Sequence, residues 1–361
     1  MQNDIYRLSL LMRIRRVGGV LYHEKQNKEF IYRSLIERLD YSPSREQLKS
    51  AWKAYIHFVW KWCGSMNDFL DSEMYRKSDF VIAESLSRYI RFPWRKALWS
   101  EKNQEIFNDK RLFYSSFDKY LRRKWIYVDK NTKAENLASF LKSCSYEFFA
   151  KEPLGFGGKQ VRHFKKVDNS EISTLLKECE NTPLILEEKI VQCNELLAFS
   201  NSSVNTIRIV TLVDDKGVAH IASAALRMGT GTSSVDNFSS GGISALIDID
   251  TGIVCSTAKD KYGREYILHP TTQKQILGYR IDDWERYKVF AIQLANEFID
   301  MRYVGWDIVK TEQDMMCVIE GNDAAGVDYL ECHTNRGLLP LYEKLVSSEH
   351  PANTASFQIK F

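Results

Sequence analysis

The chain reads as an α+β protein with antiparallel sheets, preceded by a mainly helical N-terminal region. Three observations point there. Apolar residues recur at helical spacing across the first hundred positions. From about residue 105 onward, β-branched and aromatic runs alternate with helical stretches, and neighbouring strands are joined by short polar turns. No internal repeat and no regular strand–helix–strand alternation occurs, which disfavours a parallel sheet. A length of 361 residues suffices for two or more domains, and 44% apolar with 27% charged residues is a folded composition.

The elements follow in chain order. Leu8 and Leu10–Met12, trailed by Arg13, Arg15 and Arg16, form a basic amphipathic first helix. It is too short for a secretory leader, and its arginines lie on the wrong side. It packs on its own domain or touches an anionic membrane surface, so membrane contact is at most peripheral. Trp52, Tyr55, Ile56, Val59, Trp60 and Cys63 form an apolar stripe that reads as core. Pro93 breaks the helical region, which sets a boundary near 100. Residues 111–124 are helical and end in Arg122, Arg123 and Lys124, a cluster that reads as a solvated helix end. A strand over 146–151 runs into a turn with Gly155, Gly157 and Gly158. A helix over 172–178 and a strand over 184–188 follow. Residues 206–213 form a strong strand, joined by the turn 214–217 to a partner over 218–228. A helix over 283–300 precedes strands over 304–311 and 315–320, linked by Glu312, Gln313 and Asp314.

Composition excludes several classes of function. The 50 basic and 47 acidic residues leave a net charge of +3, with no basic tract of the kind nucleic acid demands. Seven cysteines, an odd number with no CxxC, support neither a disulfide framework nor a zinc site and place the chain in a reducing, cytoplasmic setting. Walker, GxGxxG, GxSxG and HExxH motifs are all missing.

Four segments can carry chemistry. Lys151 ends a strand before the glycine turn, a place where backbone amides and an ammonium can meet an anion; taken alone, the same segment reads equally as a flexible surface loop. Glu320 and Asn322 share one strand face, and Asp307 sits in an otherwise apolar strand where a carboxylate needs a partner. That partner is either a divalent cation held by hard oxygens or a neighbouring basic side chain. Arg208 and Arg227, on paired strands, can grip phosphate or make an ordinary salt bridge. The loop 235–242, with Asn237, Ser239, Ser240 and two glycines, can reach over a ligand.

The order of these segments from Lys110 to Asn322 resembles the ATP-grasp superfamily over about 105–345. The segments 203–211, 236–242 and 305–308 resemble its branch associated with polysaccharide and sugar-transfer genes. The resemblance implies an ATP-grasp fold, with two α+β subdomains whose antiparallel sheets clasp ATP, at 105–200 and 201–345. A helical region at 1–104 precedes them and a tail at 346–361 follows. Lys110 and Lys151 would contact ATP, and Gly155, Gly157 and Gly158 would form the lid. Glu187, Glu188, Lys189 and Ile190 would form the adenine hinge, and Glu195 would meet the ribose. Arg208 and Arg227 would stabilise the transferred phosphoryl group with help from Asn237. Asp307, Glu320 and Asn322 would hold one or two Mg²⁺, with Mn²⁺ as a substitute. Two departures stand out: Glu152 beside the lysine, and Gln160 where many relatives carry another lid glycine. The implied activity is a carboxylate–amine ligase acting on a sugar acid or other glycan carboxylate and an amine, through an acyl phosphate. The alternatives are a sugar kinase and a non-catalytic nucleotide-binding partner of a glycosyltransferase.

Overall fold

A computed structural model describes residues 10–39, 42–86, 92–144, 147–154, 161–164, 169–231, 236, 238, 241–323, 325–334 and 336–347. Gly155, Gly157, Gly158 and Asn237 lie outside the described residues.

The N-terminal region is helical, as expected. Helices Leu10–Tyr22, Glu24–Leu39 and Arg45–Trp62 are followed by shorter ones at Met66–Asp71 and Asp79–Ala83. The helix Arg45–Trp62 begins at a reciprocal cap: the Gln47 amide donates to Ser44 Oγ, and the Ser44 amide donates to Gln47 Oε1. Its inner face is Tyr55, Phe58 and Val59, packed with Ile31, Leu35 and Phe69, and Cys63 is buried just past its end. Trp60 departs from the expected stripe. It is 40% exposed, and Phe58 takes the inward position. Pro93 does not break a helix either. It occupies the second position of the short helix Phe92–Lys96, where the missing amide would have no intrahelical acceptor.

Two antiparallel sheets follow. The four-stranded sheet has the order β1-β4-β2-β3, built from β1 (Trp125–Val128), β2 (Phe148–Lys151), β3 (Arg162–Phe164) and β4 (Leu184–Glu188). Helices Ala134–Ser143 and Asn169–Cys179 cover it through a core of Leu137, Phe148, Leu175, Cys179 and Leu186. The seven-stranded sheet has the order β11-β10-β5-β6-β7-β8-β9. Its strands are β5 (Thr206–Val213), β6 (Ala219–Met228), β7 (Ile243–Leu246), β8 (Ala258–Lys259), β9 (Glu265–Tyr266), β10 (Tyr303–Lys310) and β11 (Met316–Asn322). The turn at 214–217 joins β5 to β6 as expected, with Gly217 at φ 80. Strands β1, β3, β7, β8 and β9 were not legible from the residue pattern.

The large sheet is buried on both faces. Ile207, Ile209, Leu226, Trp306 and Ile308 pack against helix Trp284–Glu297 and against Phe113 and Phe117 of helix Lys110–Leu121. Val210, Leu212 and Tyr303 point the other way, toward Ala325, Tyr329 and Tyr342. The N-terminal helices dock on this second side. Glu331, fully buried, accepts from Ser85 Oγ (2.5 Å) and the Leu86 amide (2.6 Å), and Lys77 donates to the Glu331 carbonyl (2.7 Å).

Gly321 shows how tightly β11 is held. A β-carbon there would lie 2.8 Å from Trp306, 2.9 Å from Phe113 and 3.0 Å from Phe107, all ring atoms in a packed aromatic cluster. Gly321→Ala is expected to lower stability by about 1–3 kcal/mol through overpacking, read as a lower midpoint in thermal or urea denaturation.

Candidate functional site

The two sheets face one another across a cleft. Lys110, Lys151, Phe107 and Asn108 line one side, and Glu320 and Asn322 line the other. Five of the residues singled out from sequence therefore reach one region: Lys110, Lys151, Glu320 and Asn322 directly, and Asp307 as the cross-strand partner of Glu320.

Each is placed by its element. Lys110 opens the helix Lys110–Leu121, whose start is capped by Asp109 accepting from the Arg111 amide at 2.7 Å. The Lys110 amide donates to the Pro153 carbonyl at 3.0 Å, so the helix start is tied to the chain just beyond Lys151. Lys151 ends β2 beside β4, and its ammonium pairs with Glu187. Glu187 is buried and also accepts from Arg123 Nε at 2.8 Å and Tyr114 Oη at 2.5 Å.

Arg123 corrects the sequence reading. The cluster 122–124 was expected to be a solvated helix end. Arg122 does close the helix in a left-handed conformation (φ 51), but that turn sends Arg123 inward, its side chain only 3% exposed. From there Nη1 donates to the Val318 carbonyl at 2.9 Å and Nη2 to Tyr114 Oη at 3.0 Å. One guanidinium thus joins β4 to β11.

The second group is a charged row across the large sheet. Glu320, Asp307 and Arg208 are successive cross-strand partners on β11, β10 and β5. Arg208 grips Asp307 through Nε (2.5 Å) and Nη2 (2.8 Å). Arg227 reaches both oxygens of the same carboxylate from Nη1 (2.8 and 2.9 Å), and its Nη2 lies 3.3 Å from Asp236. Here the salt-bridge reading of the two arginines holds. A bulge at Ile319 shifts the register just before Glu320, which turns Glu320 onto the Asp307 side of the sheet.

The electrostatics are uneven. Burial works against the charge on Glu187, yet Arg123 and Lys151 hold its carboxyl down at about 2. Burial alone would lower the Lys151 ammonium, but Glu187 outweighs it and holds it well above its ordinary value. Lys110 is pushed down, first by burial, with Lys151 adding to the effect and Glu320 opposing it. Asp307, despite burial, is held far below the carboxylate range by its arginines. Glu320 moves the opposite way, raised by burial and by Asp307 beside it. Two adjacent carboxylates with opposed affinities for the proton form a pair that a cation would relieve.

Glu320, Asp307 and the Asn322 amide make a set of hard oxygens suited to Mg²⁺. The Asn322 side chain reaches Glu320, its Nδ2 donating to Glu320 Oε1 at 3.2 Å, and its amide oxygen would face a cation only after the amide turns over. Among the described residues, no group of three His, Cys, Asp or Glu is placed to hold a metal ion, so such a site draws on the amide as well as the carboxylates.

Other expected residues are placed differently. The amides of Glu188 and Lys189 donate to the carbonyls of Lys124 (2.8 Å) and Glu147 (3.0 Å). Ile190 packs partly buried against the main core. Glu195 does not line the cleft. Its Oε1 accepts from the Asp282 amide at 2.8 Å, and its Oε2 lies 3.8 Å from Lys310, beside the covering helix. Sequence reading missed Arg123, Tyr114, Asp236 and Tyr329, whose ring lies 5.9 Å from the Arg208 guanidinium.

Two antiparallel sheets closing on a cleft with lysines on one wall and oxygen ligands on the other define a nucleotide-clasping architecture. The model of the sugar-transfer associated ATP-grasp family matches residues 94–346, and the chain belongs to that family. Among similar solved structures are the ATP-grasp ligase PsnB complexed with a minimal precursor (12% identity, 72% of this chain and 67% of that one, TM-score 0.43) and the ADP complex of N5-carboxyaminoimidazole ribonucleotide synthetase, purK (10%, 73% and 58%, 0.45). D-cycloserine synthetase DcsG is a third (14%, 69% and 72%, 0.42). No curated protein matches the chain.

The Glu187 cluster gives a pH prediction. A carboxyl held at about 2 in the folded chain, against roughly 4.3 when unfolded, contributes about 3 kcal/mol that is present above pH 4.3 and lost as pH falls toward 2. Glu187→Gln leaves Lys151 and Arg123 buried without their partner, so it should lie about 3–5 kcal/mol below wild type at pH 7. Urea unfolding across pH should show that gap narrowing by about 3 kcal/mol between pH 4.3 and 2.

Proposed function

We propose that the protein is an ATP- and Mg²⁺-dependent carboxylate–amine ligase acting on a sugar acid or related glycan carboxylate. The observation that carries the reading is the pairing, across one cleft, of Lys110 and Lys151 with the oxygen ligands Glu320, Asn322 and Asp307. Family membership supplies the nucleotide-binding framework.

In this reading a substrate carboxylate oxygen attacks the terminal phosphorus of ATP, and ADP departs. The amine nitrogen then attacks the acyl carbon, inorganic phosphate leaves, and the amine proton passes to solvent or phosphate. Lys151, fixed by Glu187, presents a permanent positive charge to the nucleotide phosphates. Lys110, whose ammonium is already disfavoured by burial, gains a counter-charge when a phosphate arrives. Mg²⁺ held by Glu320, Asn322 and Asp307 supplies Lewis-acid neutralisation of the phosphate oxygens. Arg208 and Arg227 are clamped to Asp307, and their remaining guanidinium donors would stabilise the transferred phosphoryl group. Catalysis is thus positioning and charge stabilisation, with no protein nucleophile required.

The test is mass spectrometry of a pooled reaction: purified protein, ATP and Mg²⁺ with mixed sugar carboxylates and mixed amines. The expected result is ADP together with a mass equal to acid plus amine minus water. A phosphorylated hydroxyl acceptor would replace the ligase reading with a kinase. A rise in melting temperature with ATP but no turnover across the acceptor pool would replace it with nucleotide binding alone. Once the pair is identified, Lys151→Ala and Glu320→Gln are each expected to lower kcat by about 10²–10³-fold.

A further inference from the structure

The first helix, Leu10–Tyr22, carries an apolar face that its own domain does not cover. It contains no buried residue. At about 100° per residue, Leu10, Leu11, Ile14, Leu21 and Tyr22 fall with Gly18 on one stripe about 120° wide. The large side chains of this stripe are between 47% and 84% exposed. The helix meets the rest of the molecule on a different side, where Val17 and Val20 pack against the core of the helical region.

The charge around this stripe is singular. Residues 1–23 hold four arginines, Arg7, Arg13, Arg15 and Arg16, against one aspartate, Asp4. The remaining 46 basic and 46 acidic residues cancel, so the entire positive excess of the chain lies in this short segment. No acidic residue occurs between Asp4 and Glu24. The acidic residues that come next do not offset it, because Glu24 pairs with Lys28 and Glu29 with Arg33 (2.6 Å). Arg15 is exposed at the edge of the stripe beside Tyr22, and Arg16 is exposed on the far side of the helix. Among the described residues no helix is long and apolar enough to cross a membrane. An apolar stripe with an arginine at its edge, in the most basic segment of the chain and too short to span, matches a helix that lies in the plane of a bilayer surface.

We propose that the helix Leu10–Tyr22 is a docking surface for an anionic lipid bilayer, with Leu10, Leu11, Ile14, Leu21 and Tyr22 entering the headgroup–acyl boundary and Arg15, at the edge of the stripe, meeting the lipid headgroups. The same arginine, in a segment that holds the chain's whole positive excess, makes a second copy of this chain a poor occupant, since two such helices would bring like charges together. The proposal stands on this helix alone and is independent of the ligase reading.

The test is co-sedimentation of the full-length protein with vesicles of equal parts phosphatidylcholine and phosphatidylglycerol, and with vesicles of phosphatidylcholine alone. Binding is expected to the anionic vesicles, to weaken as salt rises, and to be weak on the neutral ones. Leu11→Glu and Ile14→Glu are each expected to reduce it at least about tenfold. Arg15→Gln is expected to reduce it about fivefold on anionic vesicles and not on neutral ones. All three positions are exposed, so unchanged melting temperatures verify the fold. Equal sedimentation with both vesicle types, no sedimentation with either, or variants that bind like wild type would overturn the proposal. A concentration-dependent dimer abolished by Leu11→Glu would overturn it in favour of self-association.

Discussion

The buried guanidinium of Arg123 is the constraint on which the rest of the site depends. It touches Glu187 on one sheet and the Val318 carbonyl on the other. Glu187 in turn fixes Lys151, while the strand held at Val318 carries Glu320 and Asn322 two and four residues on. Lysine could not replace this group, because a point charge cannot serve a carboxylate, a phenol and carbonyl oxygens along separate directions at once. A buried ion pair of this kind is not by itself a large source of stability. Its contribution is geometric: it sets the separation of the two walls of the cleft.

The large sheet adds a second layer of order. In the row Glu320–Asp307–Arg208, each side chain is the cross-strand neighbour of the next, and Arg227 and Asp236 extend the charges to one side. Alternation along a strand would place these groups among apolar residues on a buried face. They are tolerated because each satisfies another, with Thr206 Oγ1 donating to Asp236 at 2.5 Å. The opposite face of the same strands, with Trp306 and Ile308 against the covering helix, supplies the apolar packing that keeps this polar row rigid.

Much of this was legible in the residue order, and the gaps have physical causes. The run from Thr206 to Val213 announces a strand by its β-branched residues, and the turn at 214–217 fixes its partner. Lys151, Glu320 and Asn322 could be singled out because each stands at a place where its chemistry is locally unusual. Arg123 could not. Its neighbours in sequence are basic, and its partners lie 64 and 195 residues away. Short strands such as Ala258–Lys259 carry too few residues to show a period and exist only because longer strands offer them an edge. The orientation of Glu195 has a related cause. Spacing from Glu188 sets distance along the chain, whereas its carboxylate direction follows from the Asp282 amide, which is remote in sequence.

The position of β11 at the end of its sheet has a consequence for how the chain behaves in a crowded solution. An outermost strand exposes carbonyls and amides that can recruit a strand from another molecule, the first step toward aggregation. Here that margin is occupied. The Val318 carbonyl is taken by a guanidinium, Ile319 is displaced from regular pairing by the bulge, and the helix Lys110–Leu121 lies alongside. The strand that presents Glu320 and Asn322 to the cleft is therefore guarded against foreign strands by the same side chain that aligns it.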